Sequence, residues 1–205
     1  MIFFSKRLFL LCALFTLMGV SGLRGQADEI KISALFRGFL EIQVLSGGNQ
    51  HFLINTIHGY KYGVMNPIPG TEQQARFEVS SSVNYIVYLE APWAMNTLGG
   101  HLIDMRNLGY KITSVGTHQV GTNLVLANAT LNPSTAQVLG GDHILISPGI
   151  KGNAGSVESN RFILDFDIGT PEIRVLSGMP PLIEQFVVPG TYSATVLLLA
   201  SSAPT

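Results

Sequence analysis

The chain has 205 residues, 46% hydrophobic and only 12% charged, with a formal net charge of −1 and a single cysteine. A balance so close to neutral, without a cluster of Lys and Arg, excludes electrostatic capture of nucleic acid or of an anionic lipid surface as the main activity. One cysteine excludes an internal disulfide framework and a zinc–thiolate site.

The first residues read as an address. Lys6 and Arg7 precede an apolar run over residues 8–20, and small residues follow. That order is the layout of a secretory signal peptide. The run of 13 residues is too short to span a bilayer, which takes about 20. Gly25 and Ala27 suit a cut before Asp28, with a cut after Ser21 or Gly22 as the alternative. Cys12 does not mark a lipoprotein, because the bulky Leu11 precedes it. Residues 1–27 are therefore expected to be removed and the mature chain exported to the periplasm, the cell surface or the medium. Cleavage takes away the cysteine together with Lys6, Arg7 and Arg24, leaving nine basic residues against thirteen acidic ones. No later run is long enough to cross a membrane as a helix, so no stable insertion is expected after signal removal.

The mature chain opens with EIKISALFRGFLEIQVL. Every second residue from Ile30 (Ile30, Ile32, Ala34, Phe36, Gly38, Leu40, Ile42, Val44) is apolar or glycine, and every charge lies on the other parity. Period-two alternation predicts a strand with one buried face. As one strand the row spans about 46 Å, long for a globular domain. Burying its six large side chains contributes roughly 9–18 kcal/mol. Two destinations stay open: the chain's own sheet, or the sheet of a neighbouring subunit. Residues 28–46 are accordingly set apart as an extended strand before a domain over residues 47–205.

Beyond this segment, HFLIN, ARFEVS, NYIVYLEA, GYKITSVG, NLVLANAT, HILIS, RFILDFDIG, EIRVL and TYSATVLLLAS all read as short strands. Gly-, Pro-, Asn- and Ser-rich breakers separate them, among them SGGN, NPIPG, LGGD and SPGIKGNAGS. No window shows a capped helical period, so the expectation is an all-β domain of antiparallel sheets, a sandwich or barrel. Along RFILDFDIG, Phe162, Leu164, Phe166 and Ile168 share one face. Arg161, Asp165 and Asp167 share the other, which predicts a solvent-facing acidic surface. The end of TYSATVLLLAS is apolar on both faces, which predicts a central strand or one covered on both sides.

Chemistry is sparse. His51, His58, His101, His118 and His143 are scattered, without metal-ligand spacing. A nucleophile elbow is missing, and the chain reads as a non-enzyme without a cofactor or metal. Trp93 in APWAMN, with Tyr88 and other nearby tyrosines, offers an aromatic platform for glycan binding or simply core and cross-strand packing. Asn128 to Thr130 form a glycosylation sequon.

PGTYSATVLLLAS resembles the closing strand of bacterial fimbrial subunits and of spore coat protein U type secreted proteins. Gly190, Tyr192, Val196 and Leu198 occupy the positions of their Gly-x-Tyr-x-x-x-Val-x-Leu pattern. In chaperone–usher pilins an alternating apolar N-terminal extension, often with one glycine, inserts into the next subunit. The row Ile30 to Val44 with Gly38 is similar in kind. The resemblance implies an immunoglobulin-like antiparallel β-sandwich with an N-terminal extended strand. It implies a structural or adhesive subunit of a surface filament or coat, assembled by β-strand addition. Ile30, Ile32, Phe36, Gly38, Leu40, Ile42 and Val44 would be the donor, and Tyr192, Val196 and Leu198 part of the subunit-binding strand. The implied partners are further copies, other filament subunits and a periplasmic chaperone. The alternative is a monomeric secreted sandwich that binds glycans through Trp93 and Tyr88.

Overall fold

The computed structural model describes residues 38–65, 74–127 and 137–204, all within one compact unit, Arg37–Thr205. The expected signal peptide, Ile30, Ile32, Phe36 and the sequon lie outside the described residues.

Most of the alternating segments are strands. In chain order they are β1 (Leu40–Ser46), β2 (Val64–Met65), β3 (Ala75–Ser81), β4 (Tyr85–Ala91), β5 (Ala94–Asn96), β6 (Leu102–Asp104), β7 (Leu108–Ser114), β8 (Leu124–Leu126), β9 (Gln137–Val138), β10 (Gly141–Pro148), β11 (Arg161–Ile168) and β12 (Leu197–Ser202). The larger sheet runs β1-β3-β11-β7-β9, with β2 also paired to β11. The second runs β12-β4-β10-β8, and β5-β6 form a small hairpin. All ladders between these strands are antiparallel.

Alternation puts one face of each sheet into a common core. Phe77 and Val79 of β3, Phe162 and Leu164 of β11 and Ile112 of β7 come from the larger sheet. Val87 and Leu89 of β4, Leu124 of β8 and Leu145 of β10 come from the second. Phe77 and Phe162 are directly opposite in the ladder and stack at 5.1 Å between centroids. In β10 the register slips between Ile144 and Ile146, a bulge that lets Leu145 and Ile146 both be buried.

Several expectations are corrected. EIRVL is not a strand but most of helix α2 (Pro171–Ser177); the short α1 spans Ile57–Tyr62. Thr170 caps α2 by accepting from the Ile173 N–H, and Pro171 sits where no donor is lost. Gly178 ends it in the left-handed region, its N–H donating to the Arg174 carbonyl. Ile173 is its one buried residue and packs against β7, where a Cβ on Gly109 would lie 1.7 Å from Ile173 Cδ1. Glycine at 109 is what lets the helix dock. HFLIN joins no ladder; Phe52 and Ile54 pack on the core from an irregular segment leading to α1. The acidic face of β11 is not wholly solvent-facing, for Asp167 is buried. Arg161 pairs with Glu78, and Asp165 accepts from Gln74.

Two phenols in this core carry a pH consequence. Burial pushes the Tyr110 hydroxyl up to about 12 and that of Tyr85 higher still. Folded-state values above the ordinary 10.0 mean that both contributions are intact below pH 10. They fade as pH rises through the folded values, because only the unfolded chain ionises easily. Alkaline titration should therefore show Tyr85 and Tyr110 ionising late, together with loss of β-sheet circular dichroism. Ionisation of Tyr85 and Tyr110 near pH 10 with the fold intact would contradict this.

Candidate functional site

The segment singled out in the sequence begins the larger sheet. β1 lies antiparallel to β3 with Leu40 opposite Ser81, Ile42 opposite Val79 and Val44 opposite Phe77. Leu40 and Ile42 pack on the core of their own chain. Val44 does not continue the row. The ladder slips between Val44 and Ser46, and Val44 and Leu45 are both about half exposed. A bulge on an edge strand bends the chain and breaks the alternation. Gly38 lies against its own chain too, since a Cβ there would meet Val83 Cγ1 at 2.9 Å. Next to it, Phe39 accepts from the Ser82 N–H and donates its own N–H to Ser82 Oγ.

The C-terminal segment closes the second sheet at the same side of the unit, and β1 and β12 approach one another. Tyr192, Val196, Leu198 and Ala200 pack on the core, and the Tyr192 hydroxyl donates to the Val188 carbonyl. The ladder covers only Leu197–Ser202; before it, Ser193 bridges to Asn96 in β5. β12 is an edge strand, not a central one: β4 is its one ladder partner among the described residues. Leu197 is 48% and Leu199 45% exposed, and LLLASS holds no charge. Edge strands normally discourage pairing with charge, proline or a bulge. β1 has Glu41 and its bulge, whereas β12 has none of these.

The aromatic candidates fall beside this edge. Trp93, 70% exposed, walls an open cleft of about 460 Å³ with Glu90, Gly141, Asp142, Thr195 and Leu197. Glu90 and Asp142 are directly opposite in the β4–β10 ladder, and Leu197 is opposite Glu90 on the other side. The six-membered ring of the indole lies against the backbone of Gly140 and Gly141. A Cβ on Gly141 would meet Cη2 and Cζ2 at 3.1 Å, and both glycines have positive φ. Tyr88 is half-buried on the same outer face of β4, between Leu199 and Ile144, and outside the walls of the cleft. Tyr85 is in the core instead.

The sequence pattern thus points to the tryptophan but not to the carboxylates. Glu90 and Asp142 are far apart in the chain, and only the β4–β10 pairing joins them. Among the described residues, no group of three or more His, Cys, Asp or Glu side chains is placed to hold a metal ion. No protein-family model matches the chain, and no curated protein matches it.

Proposed function

We propose that this protein is an exported immunoglobulin-like β-sandwich that acts as a structural or adhesive subunit of a bacterial surface filament or coat, assembling by β-strand addition. The observation that carries the reading is the edge of β12, six uncharged residues with two half-exposed leucines and, among the described residues, a ladder partner on one side only. Two antiparallel sheets around one core support the sandwich.

Because Leu40 and Ile42 serve their own chain, the donor narrows to the residues before β1. Ile30, Ile32, Ala34 and Phe36 keep the alternation, and residues 30–36 span roughly 23 Å as a strand, enough to cover β12. Backbone hydrogen bonds to β12 of a second copy supply the ladder. The apolar parity turns toward that copy's core, beside Val196 and Leu198.

The test is the assembly state by light scattering of three chains: residues 28–205, the same chain with Leu199→Lys, and residues 37–205. The first should form species larger than a monomer, and the other two should stay monomeric. A peptide of residues 28–37 should bind chain 37–205 and not its Leu199→Lys form. Three indistinguishable chains, all monomeric or all assembled, would refute strand addition through this edge.

A further inference from the structure

The cleft at Trp93 does not depend on strand addition, and its chemistry is more specific than that of an aromatic platform. Three features coincide there. The first is a large aromatic side chain left 70% exposed. It is not a loose surface residue: it rests on Gly140 and Gly141, and its carbonyl accepts from the Met105 N–H at 2.9 Å. The second is a pair of carboxylates, Glu90 and Asp142, held side by side by the β4–β10 ladder. Neither has a hydrogen-bond or ion-pair partner among the described residues. Arg106, whose side chain packs near Gly140, spends its guanidinium on Asp104 at 2.7 Å. The third is a hydroxyl, that of Thr195, in the same wall.

Two like charges placed opposite each other across a ladder repel, which costs stability unless something offsets it. A cation arriving between them would. An indole beside them favours the same cation through its ring electrons, and it also accepts the apolar C–H face of a flat ring. Among the described residues no cationic side chain lines the cleft, so an anionic sugar would meet only repulsion there.

We propose that this cleft binds an amino sugar, with the pyranose face against Trp93, the ammonium group between Glu90 and Asp142, and a ring hydroxyl on Thr195. Tyr88 lies two residues from Glu90 on the same strand face, roughly 7 Å along β4. That places a second aromatic surface where the next ring of an oligosaccharide would lie.

Trp93 is the sole tryptophan, so intrinsic fluorescence reads this site directly. Titration of the mature chain with a glucosamine tetramer should give a saturable change in emission. A glucose tetramer should bind at least 10-fold more weakly, and a sialylated oligosaccharide should give no saturable signal. Glu90→Gln with Asp142→Asn should weaken the glucosamine tetramer at least 10-fold and leave the glucose tetramer within a few-fold. By calorimetry, Trp93→Ala should abolish binding of both. These exposed positions can be changed with the circular dichroism spectrum intact, so lost binding would not reflect lost folding. The proposal is overturned if no sugar gives a saturable signal or if the double variant binds the glucosamine tetramer unchanged. It is equally overturned if spermidine binds as tightly as the tetramer, since the site would then recognise charge alone. Chain 37–205, which lacks the proposed donor segment and keeps every residue lining the cleft, should bind these sugars with unaltered affinity, which separates this result from the assembly test.

Discussion

Asn153→Ala should lower the stability of the domain by about 2–6 kcal/mol, a large share of the roughly 5–15 kcal/mol typical of folded domains. Asn153 is fully buried in the Gly/Ser-rich stretch between β10 and β11. Its carboxamide stands in for a neighbouring strand: Oδ1 accepts from the Tyr85 N–H and Nδ2 donates to the Tyr85 carbonyl, both at 2.9 Å. Asn84 Oδ1 in turn accepts from the Asn153 N–H, and Asn160 Nδ2 donates to the Asn153 carbonyl. Alanine leaves a donor and an acceptor of a fully buried residue without these partners, each at about 1–3 kcal/mol. Asn153→Asp keeps the acceptor but loses the donor and buries a charge, so it should also be markedly destabilised. Urea melts with unchanged slope measure both. If Asn153→Ala stays within about 0.5 kcal/mol of the parent, the staple contributes nothing and the loop is held by other contacts.

Phe162→Ala is expected to cost about 3–5 kcal/mol, the range for removing a buried aromatic side chain. Phe162, the second residue of β11, is 1% exposed and stacked on an equally buried Phe77. β3 and β7 hold β11 on both sides, so the backbone cannot collapse into the space that alanine leaves. The neighbouring Ile163 faces away from this core and is only partly buried. Ile163→Ala should therefore cost clearly less than Phe162→Ala in the same denaturation series. Equal losses at the two positions would mean that the sheet faces are assigned wrongly.

These two sites differ in how far the sequence announces them. Phe162 stands in a clean period-two row with Leu164 and Phe166, and that alternation alone is enough to place it on a buried face. Asn153 stands among glycines and serines that look like an exposed breaker. Nothing local marks it, because its value comes from Tyr85, which reaches it only when the loop folds back over the start of β4. EIRVL falls between these cases. Five residues of alternating character fit a strand as well as a short helix, and the decision lies in Thr170, Pro171 and Gly178 around them.

The candidate site divides in the same way. Trp93 and Tyr88 are visible as aromatic candidates, and the apolar row from Ile30 is visible as strand material. Glu90 and Asp142 become a pair only across a ladder. Whether LLLASS is a central or an edge strand depends on which strands arrive next to it, and its own apolar character points to the centre, whereas it pairs with β4 alone among the described residues.

By itself, then, the sequence determined the near-neutral charge, the all-β character, most strands and which of their faces are apolar. Those properties are set by side-chain chemistry and a two-residue repeat, both local. Tertiary structure alone decided which strands share a sheet, that β12 pairs with β4 alone among the described residues, that β1 pairs with β3 of its own chain and that two carboxylates stand beside the tryptophan. Such pairings depend on contacts between residues distant in the chain, and many partners satisfy the same local pattern equally well until the core chooses among them.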